Sequence, residues 1–255
     1  MEINKVPILP PLYLKTIPAK VPKWDMNHLV HRKCPVCEAE GSYTICVRPD
    51  TLRVVKCERC NMVYVQDIPS EHDLGNFYRA YSQFKELKEP RRSPFRKLLN
   101  AILLDDPHVM ILEKTGGLKG KKVCEIGCSY GNFLFRLKEL GSGVSAVELD
   151  TEAVNFLKKE DIPVYDRIPI SPKFDAICAF NLLEHLADPA DLIKEAAGSL
   201  GHGGRLLLSL PNSGEIEKVG PWWVGFRVDL EHLNYFSVKS LGSLLIQYGF
   251  YIEHY

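Results

Sequence analysis

Long apolar runs are missing from this 255-residue chain. No stretch approaches the ~20 consecutive apolar residues that a membrane-spanning helix needs. A sustained leader core is missing too. Met1–Pro22 has apolar patches, but Pro7, Pro10, Pro11, Pro18 and Pro22 interrupt them, and no small-residue cleavage site follows. Residues 1–30 therefore read as a proline-rich arm that drapes over the body or joins a dimer contact. Nor is there an excess of either charge. The 32 Lys and Arg balance the 32 Asp and Glu, which gives no support to a general polyanion binder. The first 65 residues carry ten basic and six acidic side chains, a net of +4, which is mild. Arg91, Arg92, Arg96 and Lys97 form a local basic cluster, read as a solvated helix start or as a contact for a phosphorylated or nucleotide-linked substrate. What remains is ordinary globular composition, 45% hydrophobic and 25% charged. This length allows one large domain, or a medium domain and a small one.

The eight cysteines divide the chain. Four fall as Cys34-x2-Cys37 and Cys57-x2-Cys60, a spacing that matches paired zinc knuckles. Each knuckle offers two thiolates, and two knuckles complete a tetrahedral site. Alternating runs at Ser42–Arg48, Leu52–Lys56 and Met62–Gln66 predict three short strands, so residues 31–66 read as a zinc ribbon too small to hold together without metal. Two disulfides in a secreted domain are the rival, disfavoured without a secretion signal. Four thiolates leave no open position, so the zinc is expected to be structural. Cys124 and Cys178 lie in apolar strands and read as core. Cys46 is uninformative.

The stretch Val123–Leu134 reads as strand, glycine turn and helix, with Glu125 ending the strand and Gly127 and Gly131 in the turn. A second apolar strand, Gly143–Val147, ends at Glu148, 17 residues past Gly131. This is the layout of a nucleotide-type cofactor site at the edge of a parallel sheet. A middle glycine is missing: Ser129 stands where a dinucleotide fingerprint has one. Glu125 also brings a carboxylate to the turn, which repels a pyrophosphate and suits a cation. S-adenosylmethionine, with an ammonium, a sulfonium and no phosphate, fits better than a dinucleotide. Taken alone, the turn also fits an ordinary strand–helix connection.

Further on, Phe174–Leu186 contains a strand and the segment Leu183-Glu184-His185. Asp188-Pro189 starts a helix at Ala190–Leu200, Gly203-Gly204 follows, then the strand Arg205–Leu210 and Pro211-Asn212. From Val123 onward these motifs, in this order, resemble the class I S-adenosylmethionine-dependent methyltransferases. The resemblance implies an α/β fold: a Rossmann-like, doubly wound, mostly parallel sheet, here with a small N-terminal zinc-ribbon domain. It places Glu125, Gly127, Cys128 and Gly131 at the methionine end and ribose side of the cofactor, and Glu148 on the ribose hydroxyls. Asp166, after a third strand Pro163–Tyr165, is expected to accept the adenine amino group, though it equally suits a turn cap. Asn181, ending the fourth strand, is expected to meet the methionine ammonium. A sixth strand is expected near Tyr255.

Residues 67–117 read as a helical linker or lid, with helices over Pro94–Leu104 and Pro107–Lys114, and residues 118–255 as the methyltransferase domain. A zinc ribbon, a segment Phe77-Tyr78-x-x-Tyr81 and such a core resemble sugar and nucleotide-sugar methyltransferases, including C-methyltransferases. By that resemblance Tyr78 and Tyr81 cover the cofactor; otherwise they pack the interdomain seam. Asp229–Ser237, with Glu231-His232 before Tyr235-Phe236-Ser237, resembles the catalytic Glu-His segment of the sugar C-methyltransferases, although Asp229 and Leu230 replace the usual tyrosine and histidine. His232 is the candidate general base, with Glu231 as its partner and His185 as competitor; a structural, loop-orienting His232 is the alternative. Trp222 and Trp223 form an apolar wall for substrate or plug their loop onto the core. The expected protein is a cytoplasmic methyltransferase of a small, sugar-type molecule, with nucleic acid an unlikely partner. A zinc-ribbon RNA methyltransferase and a non-catalytic cofactor-binding scaffold are the alternatives.

Overall fold

The computed structural model describes residues 6–10, 22–84 and 106–255, without side chains for 78–84. The cluster Arg91–Lys97, the helix expected over Pro94–Leu104 and the side chains of Tyr78 and Tyr81 lie outside the described residues. The chain forms two compact units, one of Met1–Lys85, Leu183–Ile193 and Leu210–Tyr255, the other of Glu86–Leu182 and Lys194–Ser209.

The first unit opens with a two-stranded pair, β1 (Val30–His31) and β5 (Asp67–Ile68), around the hairpin strands β2 (Ser42–Val47), β3 (Arg53–Cys57) and β4 (Val63–Val65). β2, β3 and β4 are antiparallel neighbours. Helix α1 (Glu71–Phe84) follows. Part of the N-terminal arm is tied to this sheet. Leu9 N–H donates to the Val47 carbonyl at 2.8 Å and Val47 N–H to the Pro7 carbonyl at 2.9 Å. Leu9 is fully buried beside Cys46, Leu52 and Val54.

The second unit starts with α2 (Pro107–Gly116), where Asp106 caps the N-terminus and Pro107 takes the first turn. β6 (Lys122–Ile126), α3 (Asn132–Glu139), β7 (Gly143–Val147), α4 (Thr151–Lys159), β8 (Val164–Tyr165) and β9 (Phe174–Phe180) alternate; the sequence reading predicts each of them except α4. After α5 (Pro189–Ser199), β10 (Leu200–Ser209) completes a five-stranded sheet in the order β10-β9-β6-β7-β8. Every pairing in it is parallel. β10 begins earlier than its apolar run because Leu200 already pairs with Phe174 and the intervening glycine segment is a bulge. α3 buries Phe133, Leu134 and Leu137 against this sheet's core. The order reverses between β6 and β9, the switch point beside which ligands of such sheets bind.

The chain then returns to the first unit with the short helices α6 (Ile216–Val219) and α7 (Gly225–Val228), strand β11 (Asn234–Tyr235) and α8 (Val238–Gln247). β11 pairs with β4, extending the hairpin sheet to four strands in the order β11-β4-β3-β2. The expected sixth strand is corrected: residues 248–255 form none, and 250–255 are exposed apart from the half-buried Phe250. Without a partner strand, an extended segment gains no ladder hydrogen bonds. Among the described residues no helix is long and apolar enough to cross a membrane.

Candidate functional site

The glycine turn stands at the carboxyl end of β6, beside the switch point. Gly127 and Gly131 both have φ of 69° and Ser129 has φ of 50°. A Cβ on Gly131 would also lie 2.7 Å from Leu157 Cδ2, so this position needs glycine on two counts. Cys128 is buried, its thiol facing the Ser129 carbonyl at 3.6 Å. The turn leads into α3 without a side-chain cap.

Glu148, at the end of β7, holds the turn from the other side. Its Oε2 accepts the Ser129 N–H at 2.7 Å, and its Oε1 accepts those of Leu149 and Asp150 at 2.8 and 2.9 Å. It therefore shapes the turn, a role sequence reasoning missed. Glu125 is buried, and its Oε2 has no hydrogen-bond partner. Burial, then the charges of Asp106 and Glu148, push its carboxyl up to about 8. Such a group lacks a cation or a donor. Asp106, absent from the sequence-based set, thus belongs to the electrostatics of this site. Two residues on, the ring of His108 stacks on Phe180 with centroids 4.0 Å apart.

Asn181 follows β9 in a left-handed conformation, φ 48°, with its N–H on the Ser209 carbonyl at 2.7 Å and its side chain exposed. Asp166 is exposed directly after β8. Tyr81 belongs to α1, but its side chain lies outside the described residues.

The first unit carries two further constellations. In one, the sulfurs of Cys34, Cys37, Cys57 and Cys60 all lie within 4.8 Å of one another. Cys34 Sγ is 3.4 Å from that of Cys60, and Cys37 Sγ 3.6 Å from that of Cys57. The two knuckles are one loop built twice. Glu38 N–H donates to the Cys34 carbonyl and Asn61 N–H to that of Cys57 at 2.9 and 3.1 Å, while Cys34 N–H and Cys57 N–H donate to Ala39 and Met62 at 3.0 and 2.8 Å. Glu38 and Asn61, each directly after the second cysteine, both have positive φ, 56° and 63°.

The other joins Glu184 and His185, in the short turn after β9, to His232. Glu184 Oε1 lies 3.9 Å from His185 Nε2 and 4.0 Å from His232 Nε2. The two imidazoles meet edge to face with centroids 4.7 Å apart. Both Glu184 oxygens are buried without a hydrogen-bond partner. Burial first, with the charges of Asp229 and Glu231 adding to it, pushes this carboxyl up to about 7. The sequence reading paired Glu231 with His232; Glu184, which it did not assign, lies against both imidazoles. The motif Leu-Glu-His contained that signal, but nothing local to it indicates that His232 returns to the same place. A buried carboxyl beside two imidazoles can share and relay a proton near neutral pH. The tryptophans divide: Trp222 is exposed, while Trp223 packs on Phe226 and Tyr235 with ring centroids 5.2 and 5.7 Å away.

A general model of the methyltransferase domain matches residues 95–255, more than half of the chain. This chain belongs to that family. Curated relatives include a tRNA U34 carboxymethyltransferase of Campylobacter fetus, 32% identical over 142 residues, covering 49% of each chain. A ubiquinone biosynthesis O-methyltransferase of Coxiella burnetii is 26% identical over 157 residues, covering 56% of this chain and 65% of the relative. The chain thus spans about half to two thirds of the curated relatives it matches. Among solved structures, a magnesium protoporphyrin IX methyltransferase from Synechocystis PCC 6803 with bound SAH aligns with a TM-score of 0.49 and 17% identity, over 71% of this chain and 91% of that one.

Proposed function

We propose that this methyltransferase-family protein transfers a methyl group from S-adenosylmethionine to a small, sugar-type acceptor and carries one structural zinc ion. The observation that carries the cofactor assignment is the buried carboxyl of Glu125 at the glycine turn, whose Oε2 has no hydrogen-bond partner. A cofactor ammonium beside it would favour its ionised form, which a dinucleotide's pyrophosphate would oppose. When bound, S-adenosylmethionine supplies a methyl group already activated by its sulfonium. On this reading Glu125, Gly127, Cys128 and Gly131 hold the methionine end and the ribose side, Glu148 accepts the ribose hydroxyls with its remaining lone pairs, and Asn181 and Asp166 meet the ammonium and the adenine. Tyr81 is kept as a lid candidate. His232, next to Glu184 and His185, is the acceptor-side base, and Glu231 adds its charge to that cluster.

The cysteine geometry fits zinc. Four sulfurs at ~2.3 Å from a tetrahedral ion sit ~3.8 Å apart, close to the 3.4 and 3.6 Å found between two of the pairs. With all four positions taken by sulfur, the ion organises structure and leaves substrate alone. Such a site accords with a reducing, cytoplasmic setting.

A second acceptor class is favoured by one finding, the 32% identity to a tRNA-modifying relative. Against it, the hairpin tip that a nucleic-acid-gripping ribbon would present has Arg48 and Asp50 turned inward and buried. Incubation with labelled S-adenosylmethionine and either a panel of nucleotide-sugars or total RNA separates the readings. Label in RNA alone would discard the sugar acceptor; label in neither, with cofactor bound, would favour a cofactor-binding scaffold.

Calorimetry should find S-adenosylmethionine binding and no binding of NAD. Glu148→Ala should weaken the cofactor by about 2–4 kcal/mol, roughly 30- to 1,000-fold, as two ribose hydrogen bonds are lost and water recovers part. An unchanged affinity would move the ribose site elsewhere.

Glu125 also predicts a pH dependence of stability. In the folded protein its carboxyl keeps its proton to about 8, against an ordinary value of 4.5. Between these limits the unfolded chain binds fewer protons than the folded one, so stability falls as pH rises through the window. Glu125→Gln removes that loss. The Tm of the variant should therefore gain on the wild type from pH 5 to pH 8 in the absence of ligand. Glu184 acts with the same sign, up to about 7, but is common to both proteins and cancels. A constant Tm gap would show that Glu125 is not held neutral.

A further inference from the structure

We propose that Arg48 is the positioning residue of the acceptor site, fixing the backbone on both sides of Glu231 and thereby setting where the His232 imidazole points. The inference rests on the reading of His232 as base. It concerns what holds that residue, a role nothing in the sequence motifs assigns.

Arg48 opens the turn at the tip of the β2–β3 hairpin, between the two cysteine knuckles. Its N–H donates to the Leu52 carbonyl at 2.9 Å and its carbonyl accepts from Thr51 at 3.0 Å. Its side chain is wholly buried. All five guanidinium donors are used. Nε donates to Asp50 Oδ1 at 3.0 Å, one Nη2 hydrogen goes to Asp50 Oδ2, and the other goes to the Leu230 carbonyl at 2.6 Å. Nη1 donates to the His232 carbonyl at 2.6 Å and to the Tyr235 hydroxyl at 2.7 Å. Asp50 in turn accepts the Trp24 indole N–H at 2.8 Å. Burial works against the charge of Arg48, but Tyr235 and Asp50 outweigh it, so the group stays a cation.

An ion pair taken this far from water is costly, and apolar side chains of the same volume would pack the tip at least as well. What the guanidinium adds is direction. Only arginine offers five donors in one rigid plane. Lysine carries the charge but has three donors on a flexible stem. Here two of the five go to backbone carbonyls, those of Leu230 and His232, and a third to Tyr235, on β11. The far side of His232 is tied as well. Leu233 N–H donates to the Glu184 carbonyl at 2.8 Å, and Asn234 Nδ2 donates to the carbonyls of Leu183 and Leu186 at 3.2 and 2.7 Å. Arg32, two residues before Cys34, donates to the Ala187 and Leu233 carbonyls, both at 2.7 Å. The backbone of His232 is thus held against the turn that carries Glu184 and His185, where its ring meets that of His185.

The test uses the full chain and reads the ring itself. In carbon–proton spectra of the histidine Cε1–Hε1 groups, the His232 peak is identified by its loss in His232→Gln. In folded Arg48→Lys, with metal content and S-adenosylmethionine affinity retained, the His232 and His185 peaks should shift and broaden. Those of the exposed His202 and His254 should stay. Tyr235→Phe, which withdraws one acceptor and no charge, should move the His232 peak less. An unmoved His232 peak in folded Arg48→Lys overturns the proposal. Should that variant fail to fold, an unmoved peak in Tyr235→Phe overturns it equally. Retained turnover in His232→Ala would remove the base assignment alone, since the spectra still decide whether Arg48 sets the ring.

Discussion

Cys57→Ala is expected to take zinc from one ion per chain to less than stoichiometric and to loosen far more than the knuckles. Binding of a structural zinc ion stabilises small folds by about 10–16 kcal/mol at neutral pH, so losing one of four thiolates removes most of what holds such a ribbon. The damage should follow the contacts of the first unit. β11 is paired to β4, and Arg32 and Arg48 hold the carbonyls of Leu230, His232 and Leu233. Hydrogen exchange should therefore lose protection over residues 30–68 and also over 230–235, while β6, β7 and β9 keep theirs. Elemental analysis checks the metal. Zinc absent from both wild type and variant would remove the zinc assignment. Zinc lost with full protection retained over 230–235 would show that the cysteine sheet does not support that loop.

His232→Ala should lower turnover by roughly 10²–10⁴-fold, the range expected for losing a general base, with cofactor affinity almost unchanged. A neutral imidazole titrates at about 6.5 in isolation, near working pH, and here it shares a buried carboxyl that is itself pushed up to about 7. The competitor is close: His185 approaches the same Glu184 oxygen at 3.9 Å, against 4.0 Å for His232. Turnover in His232→Ala and His185→Ala, with calorimetry of S-adenosylmethionine on both, separates them. Activity that survives the first substitution and disappears with the second would make His185 the base.

The sequence alone determined the alternating part of the fold. Its signals there are local: the apolar runs of β6, β7 and β9, the Gly127–Gly131 turn and Asp188-Pro189 at the start of α5; the paired Cys-x2-Cys motifs of the first unit are equally local. Each is set by hydrogen-bond geometry or burial within a dozen residues, so it can be read without the rest of the chain. The early start of β10 was not legible, because Leu200 joins the sheet through its pairing with Phe174 and not through its neighbours. The sixth strand was misread for the converse reason: Phe250–Ile252 has strand-like composition, but strand formation needs a partner edge. Tertiary structure alone decided the cluster of Glu184, His185 and His232. Glu184 and His232 lie 48 positions apart in the chain, and their meeting depends on β11 docking on β4 and on Arg48, itself 184 positions from His232. The sequence could place Arg48 only at the end of the predicted strand Ser42–Arg48, where a basic residue is usually solvated. That it is buried, with every donor used, is a fact of long-range packing, which a local pattern does not encode.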